Sequence, residues 1–246
     1  MLAAERRDLY LARLKSDGKL VARDLAAELG LSEDSIRKDL RELAAAGLAQ
    51  RVYGGALPVS PAIADLATRS TISIEGKNAV AASAVQLIKP GMTVILDGGT
   101  TTRAMVDLLP RDLDATIVTH SPTIAAALIE HAVSVFLIGG TLFKHSAVTS
   151  GVAAAEAAMM VSADLFFLGV TGVHPEAGLT TGDVDEAAMK RLLARRSSET
   201  WVLASAEKVG AASPYTVLPL AEVAGVITDS VASAVLDALG VPIRRT

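Results

Sequence analysis

From residue 74 onward, short and almost wholly apolar runs alternate with longer stretches of helical periodicity, and no other feature constrains the fold as strongly. The runs fall at 93–97, 115–119 (ATIVT), 133–138 (VSVFLI), 164–170 (DLFFLGV), 200–204 and 224–228. Helical segments lie between and around them, at 75–89, 101–109, 121–131, 151–162, 183–196 and 230–239. A strand that is apolar on both faces must be covered on both faces, and strands that alternate with helices build a parallel sheet with helices packed on it. Residues 74–246 are therefore expected to form a parallel-sheet α/β domain. Only 3% of the chain is aromatic while 51% is hydrophobic, so its core must be packed mainly with aliphatic side chains.

Residues 1–57 follow a different pattern. Helices are expected at 4–16, 21–29 and 33–46, separated by Asp17-Gly18 and by the tight break Gly30-Leu31-Ser32. Val21, Leu25 and Leu29 share one stripe of the second helix, and Ile36, Leu40 and Leu43 share one of the third. Ser32 suits the N-cap, Glu33 and Asp34 suit the first turn, and Gly47 is a left-handed stop. AQRVYGGAL then reads as two short strands around Gly54-Gly55. Three helices and a small hairpin in under 60 residues make a winged helix-turn-helix. Residues 58–73, with Pro58 and Pro61 among small polar residues, read as a linker.

Several classes of function are excluded. With no cysteine there is neither a disulfide nor a thiolate metal site, and His120, His131, His145 and His174 are too dispersed for helical ligand pairs. No metal or cofactor is expected. The first residues carry charges where a signal peptide needs an apolar core, and no apolar stretch is long enough to span a bilayer. A cytoplasmic location is expected.

The charge balance gives DNA binding weak support. The net charge is −4, and residues 1–57 hold 10 Lys/Arg against 9 Asp/Glu. The case rests on where charges point. Opposite the apolar stripe, the third helix carries Ser35, Arg37, Lys38, Arg41 and Glu42, and a recognition helix places its N-terminal part in the major groove. Arg37 and Lys38 could donate to guanine or to phosphate, and Ser35 to either. Arg51, Tyr53, Gly54 and Gly55 at the hairpin suit contact with the DNA backbone or minor groove. By spacing alone, a small helical module that binds protein fits the same residues.

The remaining motif is DGGTTT, Asp97 to Thr102, between a strand and a helix. G-x-S-x-G, Walker-type and dinucleotide-binding patterns are all missing. Backbone N–H groups at a helix N-terminus favour an anion. Gly98 and Gly99 permit close approach, and Thr100, Thr101 and Thr102 add hydroxyls. A tight turn with threonine caps and no ligand accounts for the string equally well.

The string LVARDLAAELGLSEDSIRKDLRELAAAGLAQRVYGGAL closely resembles the N-terminal domain of the DeoR/GlpR family of bacterial transcriptional regulators. The matching residues are Ser32, Glu33, Ile36, Arg37, Asp39, Leu40, Leu43, Gly47, Leu48, Arg51, Gly54, Gly55 and Ala56. Ser35 stands for the usual Thr, and Lys38 for a second Arg, which keeps the charge and loses the planar fork. The strings VILDGGTTT, IVTHS, FLIGGTL, ADLFFLGVTGV, GLTT, DEAAMK and VITD extend the resemblance through the C-terminal part.

The resemblance implies an effector domain with the fold of ribose-5-phosphate isomerase and glucosamine-6-phosphate deaminase. Asp97 to Thr102 would hold a phosphate, and His120, Ser121, Gly140, Thr171, Glu186, Lys190 and Lys208 would surround the sugar. His120 replaces a usual Asn, Ser205 a usual Asp, and Thr171 a frequent acid. The implied function is a repressor of carbohydrate genes, acting on operator DNA as a homodimer or homotetramer under a phosphorylated sugar. The alternative is an isomerase or deaminase, which needs a carboxylate base near the sugar carbon; Asp97 and Glu186 are available.

Overall fold

The computed structural model of the chain describes residues 2–246. The head comprises helix α1 (Ala3–Asp17), strand β1 (Leu20–Val21), helices α2 (Ala22–Leu29) and α3 (Glu33–Ala45), and strands β2 (Gln50–Val52) and β3 (Gly55–Leu57). Ser32 caps α3, its side chain accepting from the Ser35 N–H. The apolar stripes of α1, α2 and α3 meet in one core around Tyr10, Leu25, Ile36, Leu40 and Leu43.

The sequence reading gives the wing two strands; the structure has three, in the order β1-β3-β2. β1 escapes the sequence because two residues show no periodicity. Its pairing explains Gly55, whose backbone packs directly on Leu20: a Cβ there would lie 1.8 Å from the Leu20 carbonyl oxygen. Backbone on backbone cannot yield by rotating a side chain. Gly55→Ala is expected to detach β1 from the wing and destabilise the head by about 3 kcal/mol, a cost in the range of severe strain. Thermal unfolding by circular dichroism checks this; an unchanged transition would show that the wing tolerates the shift.

The connecting residues are ordered. A 3-10 turn (Pro61–Ile63) and a one-turn helix α4 (Leu66–Arg69) lie on the following domain. That domain continues with α5 (Ile74–Val85), β4 (Thr93–Leu96), α6 (Thr100–Leu108), β5 (Thr116–Thr119), α7 (Pro122–Ala127) and β6 (Ser134–Leu137). A hairpin of β7 (Thr141–Phe143) and β8 (Val148–Ser150) follows, then α8 (Val152–Met159) and β9 (Ala163–Gly169). Next come β10 (Gly172–His174), β11 (Gly178–Thr181), α9 (Val184–Arg195), β12 (Ser197–Leu203) and β13 (Tyr215–Leu218). The last elements are β14 (Gly225–Thr228), α10 (Ser233–Ala238) and β15 (Ile243–Arg245).

Seven strands form one sheet in the order β15-β14-β12-β9-β4-β5-β6, each pair parallel. Successive residues point to opposite faces, so the apolar runs feed two cores. Ile95, Phe166, Leu168 and Val202 pack with α8, α9 and α10. Val94, Leu96, Phe167 and Leu203 pack with α5, α6 and α7. β10, β11 and β13 form a small antiparallel sheet that the sequence does not announce, because each is short and lies among glycines.

The strand order sets the location of a site. From β4 the chain builds outward through β5 and β6; from β9 it builds the other way through β12, β14 and β15. The ends of β4 and β9 therefore diverge at a topological switch point, where sheets of this type open a crevice. Asp97-Gly98-Gly99 leaves β4 there, beside Gly169 at the end of β9.

Candidate functional site

A cavity occupies this switch point, walled by Gly98 to Thr102, Gly169 to Thr171, Glu186, Lys190, Glu207 and Lys208, with Arg69, Lys77, Thr181, Ala62 and Ile72 completing it. The structure thus brings together Gly98, Gly99, Thr100, Thr101, Thr102, Thr171, Glu186, Lys190 and Lys208, all foreseen from the sequence. It leaves Asp97, His120, Ser121 and Gly140 off the cavity wall.

Asp97 is fully buried behind the loop. Its Oδ1 accepts from the Gly98 N–H at 2.8 Å and from His120 Nε2 at 2.8 Å; its Oδ2 accepts from the Gly169 N–H at 2.8 Å and from Lys190 Nζ at 2.5 Å. Burial by itself would raise its pKa, but the Lys190 ammonium and the His120 hydrogen bond outweigh that and hold it well below the usual carboxylate range. A carboxylate facing a phosphate would repel it. Turned inward, Asp97 ties the ends of β4 and β9 together and aims Lys190, which also donates to the Gly169 carbonyl at 3.0 Å.

His120 is likewise buried, its Nδ1 3.2 Å from the Thr149 carbonyl oxygen. Since both neighbours are acceptors, the ring donates to both only when doubly protonated. Ser121 Oγ donates to the Ala147 carbonyl at 3.0 Å, and Gly140 packs on Ala154 beyond β6. Only the family resemblance puts these residues around the sugar. Which way each side chain turns depends on neighbours remote in sequence.

The loop itself is built for close approach. A Cβ on Gly98 would lie 2.1 Å from Val148 Cγ1, so the loop nests against β8. Thr102 Oγ1 donates to the Gly99 carbonyl at 3.0 Å and closes the first turn of α6. Thr101 Oγ1 is different: it is buried and has no hydrogen-bond partner.

Four cations surround this loop. Burial pushes the Lys208 ammonium down to about 8, with Glu207 opposing, and also lowers Lys77 and Arg69. Against Arg69, Lys77, Lys190 and Lys208 stand Glu186, Glu207 and, behind the loop, Asp97. The balance leaves an excess of positive charge that an anion would relieve. Glu207 Oε1 accepts from Ser205 Oγ at 2.7 Å, while its Oε2 is buried and unpartnered. Thr171 Oγ1 donates to the Thr180 carbonyl at 3.1 Å and shares a 2.7 Å hydrogen bond with Ser213 Oγ, so it braces the wall.

Sequence reasoning missed Arg69, Lys77, Thr181 and Glu207. Arg69 fell in a stretch read as linker. Lys77 matches no phosphate-binding motif in the sequence, yet it is buried and donates to the Arg69 carbonyl at 2.5 Å. Its signal was a lysine set among Ala and Val on α5.

In the head, Arg37 and Arg51 line one cleft between α3 and the wing, with Gly54 on its rim. Ser35, Arg37, Lys38, Arg41, Arg51 and Tyr53 are exposed, as is the capping Ser32. Arg37 meets Glu33 at 2.5 Å and Asp34 at 3.3 Å, surface pairs that competing phosphates can replace. Gly55 is buried, packing on Leu20, and its backbone lines the same cleft. The matched Asp39 faces inward, accepting from Arg6 Nε at 2.7 Å and from Tyr10 Oη at 3.1 Å, and so fixes α3 to α1.

No described helix is long and apolar enough to cross a membrane. The family model described as the DeoR-like helix-turn-helix domain matches residues 6–62, and that of the DeoR C terminal sensor domain matches 72–230. The HTH-type transcriptional regulator GlpR of Haloferax volcanii is 36% identical over 93% of this chain and 91% of its own. The putative aga operon transcriptional repressor of Escherichia coli O157:H7 is 32% identical, over 92% and 86%. Among solved structures, the chain is similar to ribose 5-phosphate isomerase A from Methanocaldococcus jannaschii, with 18% identity and a TM-score of 0.40 over 54% of this chain and 52% of that one. With a reading head at one end, a sensor domain at the other and regulators along nearly its whole length as relatives, the chain belongs to the DeoR family of DNA-binding transcriptional regulators and is not an enzyme.

Proposed function

We propose that the chain represses carbohydrate-metabolism genes in the cytoplasm as a homodimer or homotetramer, and that a phosphorylated sugar in the switch-point cavity controls its hold on operator DNA. One observation carries the effector assignment: the buried, unpartnered Thr101 hydroxyl at the N-terminus of α6, inside a cavity with surplus positive charge. Hydroxyl, helix N-terminus and ammonium groups together suit a phosphate. Glu186 and Glu207 offer acceptors for sugar hydroxyls. The head binds through Ser32, Ser35, Arg37, Lys38, Arg41, Arg51, Tyr53 and Gly54. The effector acts only through its differential affinity for the DNA-competent and DNA-incompetent states.

Thermal shift with a panel of sugar phosphates tests this. Ligand at about a hundred times its Kd stabilises by roughly 2.7 kcal/mol, several degrees in Tm for a domain of this size. Thr101→Val keeps the shape and removes the hydroxyl, so the shift is expected to vanish while the unliganded Tm changes little. A full shift in the variant would place the phosphate elsewhere.

A further inference from the structure

The connector between head and sensor domain is bound to both. At its start it continues β3, and the Pro58 carbonyl accepts from the Ala212 N–H while Val59 pairs with Ala212. Ser60 is buried and caps the 3-10 turn, and Ala62 enters the cavity wall. The Ile63 carbonyl lies 3.0 Å from His145 Nε2, and the Leu66 N–H donates to the His145 carbonyl at 2.9 Å. At its far end Arg69 and Ile72 complete the wall.

Arg69 is the connector's only cation. Its Nε and Nη2 are buried without a hydrogen-bond partner. A guanidinium has donors only, and leaving them unmatched in the interior is costly. Glu186, Asp97 and Asp65 act on it through their fields, and none forms an ion pair with it among the described residues. The planar fork fits a phosphate oxygen pair better than any other anion partner in reach.

The space is also informative. The cavity measures about 30 Å³, room for about two ordered waters. A sugar phosphate therefore needs one wall to move. The walls from β4, β9, α6 and α9 are anchored in the main sheet and its packed helices. The connector is a short strap held by a handful of hydrogen bonds, and it is the wall that can yield.

We propose that Arg69 is a ligand-binding residue for the anionic effector, and that the connector opens to admit the ligand and recloses on it through this guanidinium. Occupancy is then transmitted through Pro58 and Val59 to β3 and the DNA-reading head. This rests on the reading of the cavity as a phosphate site. It adds that the ligand is held by the linker as well as by the sensor domain.

The test uses the full chain, with inorganic phosphate and ribose 5-phosphate as probes, and reads thermal shift, isothermal titration and hydrogen exchange of residues 61–72. Wild type is expected to bind, and exchange in the connector to slow by tenfold or more. Arg69→Ala is expected to weaken binding at least tenfold without lowering the unliganded Tm, because an unmatched buried charge is removed; a merely structural arginine would lower it. Arg69→Lys, which keeps charge and loses the fork, should fall between, and it serves if the alanine variant folds poorly. Wild-type binding with undiminished binding by Arg69→Ala overturns this inference and leaves the phosphate reading intact. Weakened binding with unchanged connector exchange retains Arg69 as a ligand contact and overturns the strap. Failure of wild type to bind either probe overturns both.

Discussion

Arg37→Ala is expected to abolish specific operator binding while leaving the fold intact. Arg37 stands on the exposed N-terminal half of α3, facing the wing cleft that it shares with Arg51. A bidentate arginine–guanine contact contributes about 2 kcal/mol of discrimination, roughly thirtyfold per head, and the two heads of the proposed dimer would square that factor. Its partners in the free protein, Glu33 and Asp34, are exposed surface pairs whose loss costs little. Gel retardation on the gene's own upstream fragment should therefore show loss of the specific complex at unchanged Tm. Equal retardation by wild type and variant would mean that α3 is not the reading element. Lys38→Ala should act more weakly and reduce the salt dependence of binding by about one counterion, as a phosphate contact does.

Asp97→Ala should have the largest effect on stability. The carboxylate accepts four hydrogen bonds in a site from which water is excluded, and removing it leaves the Lys190 ammonium buried and unpaired. Breaking a buried pair from one side costs about 3–5 kcal/mol. Combining the change with Lys190→Met should recover the part of that loss due to the unpaired ammonium, while the donors on Gly98, Gly169 and His120 stay without their acceptor. Urea denaturation of wild type and these two variants measures both effects, and an unimpaired single variant would show that water reaches the site. The pH dependence follows from the depressed pKa of Asp97. Its contribution is fully present above the unfolded value of about 3.9 and is lost as pH falls toward the folded value below it. Wild type should lose stability from about pH 5 downward, and Asp97→Asn should show a flatter acid limb.

The two kinds of site were legible to different degrees. The proposed DNA-reading face is legible in sequence as an exposed surface because it lies on one helix and one hairpin, while the family resemblance supplies its link to DNA. There a 3.6-residue period places Ile36, Leu40 and Leu43 inside and Arg37, Lys38 and Arg41 outside. The sensor cavity is assembled from the ends of three strands, three α-helices, the 3-10 turn that carries Glu207 and Lys208, and the connector. A motif drew attention to its loop, Gly98 to Thr102, and the family resemblance supplied Lys190 and Lys208. They could not tell that Asp97 and His120 turn away from the cavity, since residues at strand ends can face either side. Nor could composition show that a proline-containing stretch is pinned to Ala212 and His145 and delivers Arg69.

Local periodicity by itself determined the class of the molecule: a trihelical reading head, then a parallel sheet with helices on both faces. Burial of an apolar stripe or a doubly apolar strand admits few solutions, so the pattern is enough. Tertiary structure alone decided the switch point between β4 and β9, the inward carboxylate that holds Lys190 in place, and the unmatched guanidinium over the cavity. Each depends on pairings between residues as far apart as 93 positions, Asp97 with Lys190, and no local propensity encodes such a contact.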